Sequence, residues 1–294
     1  MKKIHLALFV LLFSVSIFGQ TAQQNSDPIA QNQKPLKIFT GEEYMPYLFE
    51  AYQADYAFKG KIIGIDFDVF SFTSRIVELQ DEWEETQIYH LPMIPDEEFR
   101  DIKITSTIDL KTGLLKKMVT ETGKNISQTI EIGDGKIFIS ETNGRKTKSI
   151  AFDAKEKIYP CNYSNTFLSY LPLKDDFAGS FFCFTLDEND SGKPKIKFLR
   201  RTLRVVGTEN VSTPAGFFEC YKLADDAEEI VYERDGKIKE RKKKKQIFDE
   251  EKFWANFYSN TWIDKKTREV IKGELNFKIG NVGIEMQRSK YTNL

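Results

Sequence analysis

The chain has 294 residues, of which 40% are hydrophobic and 30% charged, a globular balance that excludes a disordered polymer and leaves room for a sizeable core. Lys and Arg number 43 against 44 Asp and Glu, for a net charge of -1, which excludes the broad positive field of a nucleic-acid binder. Aromatic residues at 13%, with 24 Phe against only 17 Gly and 9 Pro, favour strands over low-complexity linkers.

Met1-Lys2-Lys3 followed by the apolar run from Leu6 to Phe18 has the charge and length of a cleaved secretory signal and is too short to span a bilayer. Cleavage after Gly19 is expected, giving residues 1–19 as signal peptide. No Cys follows at a lipobox position, so a lipid anchor at the new N-terminus is not expected. Residues 20–36, rich in Gln, Asn, Ser and Pro, read as a flexible leader, because little apolar surface is present to offset the entropy of ordering. Residues 37–294 then form a single β-rich domain, in two halves joined near 160–173. No later stretch is apolar for long enough to cross a membrane as a helix, and an exported, periplasmic location is expected.

Pro46 to Tyr52, behind a capping-box spacing at Thr40-Gly41-Glu42-Glu43, predicts a short helix or the start of a strand. From Lys61 the period becomes two, with Ile63, Ile65, Phe67 and Val69 on one face and Asp66 and Asp68 on the other. Strands follow at Ile102-Ile104-Ile108, Ile130-Ile132 and Ile137-Ile139, and Asp134-Gly135 and Asn143-Gly144 supply hairpin turns. Phe167, Leu168 and Leu171 suggest a short helix ended by Pro172. Alternation resumes at Ile196-Phe198, Leu203-Val205, Leu275-Phe277-Ile279 and Val282-Ile284-Met286. Thr107 to Gly113 echoes Thr261 to Thr267, each with an Asp that can close a turn on downstream N–H groups. Duplication and chance reuse of one turn chemistry both account for that echo. The pattern predicts a mainly β fold, a curved antiparallel sheet or half-barrel-like meander with one or two short helices.

Cys161, Cys183 and Cys220 permit at most one intramolecular bridge, and Cys161–Cys183 is one pairing among those open. Both Cys183 and Cys220 sit in apolar strand runs, where a thiol packs as a small hydrophobe.

The run Val205 to Lys222 reads physically as a strand, a turn led by Pro214 and relieved by Gly216, and a returning strand. With Thr261-Trp262-Ile263-Asp264 and Lys272-Gly273-Glu274-Leu275, it resembles the exported bacterial family named domain of unknown function 3108. There a V-x-G-x-E-x-v-x-T-P-A-G-x-F hairpin precedes a W-I-D/S-x-x-T hairpin. The resemblance is best over residues 149–288, includes Tyr170-Leu171-Pro172-Leu173, and departs at Arg268, where the family's turn often has Gly. It implies a curved antiparallel sheet in the cell envelope and carries no catalytic residues.

Among residues able to do chemistry, only His90 remains once His5 leaves with the signal, so a multi-histidine metal site is excluded by count. Asp66 and Asp68 have the strand spacing that a carboxylate pair can use. Asp187 to Gly192 begins like a calcium loop, but Phe198 occupies the position of the required bidentate Glu. Lys237 to Lys245 concentrates positive charge, with Lys242, Lys243, Lys244 and Lys245 the expected contacts to a ligand or partner; no aromatic residues interleave the run for nucleic-acid stacking. Trp83, Trp254, Trp262 and the many Phe residues fit a lipophilic cavity or an ordinary core. No catalytic, cofactor or metal residues are expected. The leading expectation is a non-enzymatic envelope protein holding a lipophilic or acyl-bearing ligand on the concave sheet. The alternative is an interaction module acting through the basic arm or a sheet edge, with an envelope protein as partner; a hydrolase built on Asp66 and Asp68 ranks last.

Overall fold

The computed structural model describes residues 50–62, 65–110, 113–133, 135–154, 158–160, 168–188, 194–232, 238–240, 257–277 and 282–294. Its strands in chain order are β1 (Tyr52–Ile62), β2 (Ile65–Leu79), β3 (Glu82–His90), β4 (Asp101–Asp109), β5 (Leu115–Thr122), β6 (Ile126–Gly133), β7 (Lys136–Asn143) and β8 (Lys146–Asp153). There follow β9 (Ile158–Pro160), β10 (Ala178–Glu188), β11 (Pro194–Thr213), β12 (Gly216–Tyr232), β13 (Ile238–Glu240), β14 (Phe257–Asp264), β15 (Val270–Phe277) and β16 (Val282–Asn293). All join one sheet, in the order β8-β7-β6-β5-β4-β3-β2-β1-β16-β15-β14-β12-β11-β10-β9, with β13 hanging on β12. Every described pairing is antiparallel except β9 with β10. The mainly antiparallel meander predicted from period-two alternation is the observed fold.

One face is buried along the sheet because every second residue is apolar: Ala54, Tyr56 and Phe58 on β1, Phe70, Phe72 and Ile76 on β2, Ile102, Ile104 and Ile108 on β4. Cross-strand rings stack on this face, with centroids 3.9 Å apart for Phe58 and Phe70, 4.5 Å for Tyr56 and Phe72, and 4.9 Å for Phe72 and Tyr89. Such pairs add to the burial term by about 0.5–1.5 kcal/mol each. The sheet curls until its first and last strands approach, where Phe152 on β8 meets the edges of Phe184 on β10 and Phe198 on β11, at 5.6 and 5.7 Å.

Several local expectations are corrected. Tyr52 opens β1 rather than closing a helix; the residues before Glu50 lie outside the described part. Ile65 and Phe67, expected on the core face, are 71% and 44% exposed. A bulge between Phe58 and Lys59, opposite Phe70 and Asp68, takes up Val69, so Phe67, opposite Gly60, stays on the face of Phe58 and Phe70; both faces of residues 65–68 are exposed, and burial begins at Phe70. The β7–β8 turn centres on Gly144-Arg145, not Asn143-Gly144: Asn143 pairs with Lys146 and Gly144 takes φ 61°, the arrangement that puts Gly first in a type II′ turn. Of the helix expected to end at Pro172, Leu168 and Ser169 are helical before a turn at Tyr170; a 3-10 turn spans Glu97–Phe99.

The echo between Thr107–Gly113 and Thr261–Thr267 is geometric. Asp109 N–H donates to Leu114 O and Gly113 N–H to Asp109 O; Asp264 N–H donates to Glu269 O and Arg268 N–H to Asp264 O, all at 2.9 Å. Both turns end in the left-handed region, at Gly113 (φ 66°) and Arg268 (φ 60°), and both are preceded by a bulge at the matching step, between Thr107 and Ile108 and between Trp262 and Ile263. Both also meet the stretch between β9 and β10: the ring of buried Tyr170 lies on Gly113, and Arg268 Nη1 donates to Leu173 O at 2.9 Å. Gly113→Ala should therefore cost about 1–3 kcal/mol, from the positive φ and from a Cβ placed 2.4 Å from the Tyr170 ring. A thermal melt checks this; an unchanged midpoint would mean that Tyr170 is not seated there.

Candidate functional site

His90 is at the surface, where its Nδ1 lies 2.8 Å from Asp101 Oδ1. Asp66 and Asp68 are exposed and sit opposite Lys61 and Lys59 on β1. Among the described residues no group of three His, Cys, Asp or Glu could hold a metal. Trp83 and Trp262 are buried. Lys242, Lys243, Lys244 and Lys245 lie outside the described residues, as do Trp254 and the body of the calcium-like loop; of the basic run, β13 pairs with Ile230–Tyr232 on β12.

The interior holds polar groups that the period-two reading did not anticipate. Buried Glu85 Oε1 accepts from Ser74 Oγ at 3.0 Å and from Gln87 Nε2 at 2.7 Å, while Tyr89 OH donates to Gln87 Oε1 at 2.9 Å. Beside them is a cavity of about 10 Å³ lined by Tyr52, Tyr56, Phe72, Ser74, Glu85 and Gln87 among others. That is room for one water with polar walls, and no room for an acyl chain. Burial pushes the Tyr56 and Tyr89 hydroxyls well above their ordinary range, so both stay protonated.

Among the described residues two ion pairs are buried. Arg201 on β11 grips Asp225 on β12, with its Nε 3.2 Å from Oδ1, and faces the Phe181 ring at 5.3 Å. Arg288 on β16 grips Glu269, which also accepts from Tyr291 OH at 3.1 Å. The Arg288 guanidinium lies between the rings of Phe218 and Tyr291, at 4.4 and 4.7 Å. Burial pushes the Glu269 carboxyl up, opposed by Arg288 and by hydrogen bonds from Tyr291, Arg288 and Thr267. The β11–β12 hairpin reaches past β14, turns at Thr213–Gly216, and through Val211 and Phe218 covers Cys220, Trp262 and Ile271 on the second face of the sheet. Phe217, beside the turn, is 87% exposed.

Cys183 is disulfide-bonded, a correction to its reading as a free thiol. Cys220 is free and buried, and Cys161 lies outside the described residues. Cys183 itself stands opposite Tyr159 in the parallel pairing of Ile158–Pro160 with Phe182–Phe184. Burial, the largest cause, pushes the Cys220 thiol up to about 12. In the native protein Cys220 should therefore resist a thiol reagent at pH 8 and react stoichiometrically in denaturant; fast native labelling would contradict its burial under Phe218.

β8 is one end of the sheet order, and among the described residues only β7 pairs with it. Its register with β7 is regular from Lys136↔Asp153 to Asn143↔Lys146. In a two-residue hairpin the closing pair is hydrogen-bonded and bonding alternates from there, so Lys146, Lys148, Ile150 and Phe152 bond back to β7. Ala154 N–H keeps the same parity, donating to Gly135 O at 2.7 Å. The N–H and C=O groups of Thr147, Ser149, Ala151 and Asp153 point away from the sheet, and among the described residues no strand pairs there. Lys146 to Ser149 are exposed on both faces.

Among the described residues no helix is long and apolar enough to cross a membrane. No family model matches the chain, and no curated protein matches it. Among solved structures it is similar to a Bacteroides fragilis protein with YmcC-like fold, taken to be exported, at 9% identity and a TM-score of 0.32 over 85% of this chain and 98% of that one. A Parabacteroides distasonis protein taken to be a lipoprotein is similar at 10% identity and 0.33, over 88% and 100%. The hypothetical lipoprotein YmcC of Escherichia coli is similar at 12% and 0.32, over 83% and 86%.

Proposed function

We propose that this chain is a non-enzymatic interaction module of the cell envelope, exported into the periplasm and of the kind that domain of unknown function 3108 names, working along the free edge of its sheet. The observation that carries the reading is β8: an eight-residue strand with a row of outward backbone groups is a template for pairing with an extended segment of another polypeptide. The hairpin at Thr213–Gly216 and the Asp264 turn support the family resemblance, because they close as the motif's turn residues require. A lipophilic ligand draws no support from the cavity beside Glu85, which is water-sized and polar-walled.

The test is a photo-crosslinking residue at Ala151 in the full chain, expressed in a bacterial periplasm. An adduct with a polypeptide is expected. It should disappear in Ser149→Pro, because that substitution removes an outward N–H and leaves the β7 ladder intact. Circular dichroism of the purified variant checks that the sheet survives. No polypeptide adduct, or an adduct indifferent to a folded Ser149→Pro variant, would overturn the reading.

A further inference from the structure

We infer that the segment pairing with β8 is β8 of a second copy of this chain, antiparallel and centred on Ser149. The inference rests on the edge reading above and adds the identity of the partner. In an antiparallel pair, opposed residues are either both hydrogen-bonded or both not, so the outward set Thr147, Ser149, Ala151 and Asp153 must oppose the same set. That parity leaves three central registers. With Lys148 at the two-fold, Lys148 faces itself, a like-charge contact that is destabilising. With Ile150 at the two-fold, Asp153 faces Thr147 and finds no cation opposite.

With Ser149 at the two-fold, Arg145 faces Asp153 of the second copy, and symmetry makes this pair twice. Lys146 then opposes Phe152 of the second copy, where its stem can lie along the ring, and Lys148 opposes Ile150. No like charges are opposed. Arg145, Lys146, Lys148 and Asp153 are exposed, so the charges are available without rearrangement. Cations at one end of the strand and an anion at the other make β8 complementary to its own reverse, which is the requirement of an isologous two-fold interface.

Sedimentation equilibrium of the purified full chain tests this. A reversible dimer is expected, with Arg145→Asp and Asp153→Arg each weakening association at least tenfold while leaving the thermal midpoint unchanged. An equimolar mixture of the two variants should dimerise again. The first variant carries a carboxylate at both positions and the second a guanidinium at both, so a mixed dimer opposes unlike charges at each end. A monomer at all concentrations, variants that associate as the parent does, or a mixture that stays monomeric would overturn the self-pairing. If the chain is monomeric yet crosslinks from Ala151 to a different polypeptide, the self-pairing falls and the edge reading stands; absence of both removes both.

Discussion

Replacing Arg288 by Ala should cost the fold about 3–5 kcal/mol at neutral pH, the range for removing one partner of a buried ion pair. The side chains of Arg288 and Glu269 are 2% and 4% exposed, so water cannot replace the guanidinium. The same substitution empties the space between Phe218 and Tyr291 and unseats the hairpin from β16. Burial already raises the Glu269 carboxyl and Arg288 is the foremost group opposing it, so the variant carboxyl rises further. Its sign is fixed by linkage: the native variant binds a proton more tightly than the unfolded chain does. That contribution is complete below the unfolded value of about 4.3 and is lost as pH rises through the folded one. Urea unfolding at pH 5 and pH 7 should therefore show the variant recovering part of its deficit in acid. Pairing Arg288→Met with Glu269→Leu should recover most of it at pH 7, since an apolar pair of similar volume carries no desolvation cost. A loss below 1 kcal/mol with no pH trend would mean that the pair is open to water.

Reduction of the Cys183 disulfide is the second large effect expected, lowering stability by about 2–4 kcal/mol. Cys183 stands in β10 against Tyr159 of the parallel strand Ile158–Pro160, and the stretch between these strands holds Tyr170 and Leu173, which Gly113 and Arg268 meet from the two echoing turns. Denaturant unfolding with and without reductant measures this, and Cys183→Ala should reproduce the reduced protein's midpoint. A midpoint insensitive to reductant would show that the strands hold without the bond.

Most of the fold was legible because strand faces carry a period of two that no helix reproduces. Ile102, Ile104 and Ile108, and Ile137 with Ile139, mark buried positions directly. Ile65 and Phe67 keep the face of Phe58 and Phe70, because the extra residue at Val69 restores the parity, but residues 65–68 are exposed on both faces, and period two names a face without saying whether anything covers it. Arg201 and Arg288 were legible in principle. Each stands at core parity, between Leu199 and Leu203 and two residues after Met286, and a charge there demands a buried partner. Nothing nearby in sequence names Asp225 or Glu269, however; only the sheet register brings them into reach. The β8 edge was not legible at all, because an edge strand differs from an inner one only in what fails to pair with it. The attention given to Asp66 and Asp68 followed spacing alone, which cannot distinguish a wet strand face from a pocket.

The central claim is that this protein works through its sheet edge and not through a ligand inside the sheet. Native mass spectrometry of the chain, expressed in a bacterial periplasm and purified without detergent, tests it most directly. The account predicts polypeptide masses only, including a dimer that Ser149→Pro abolishes. A lipid of defined mass carried by the monomer and released on denaturation would contradict it.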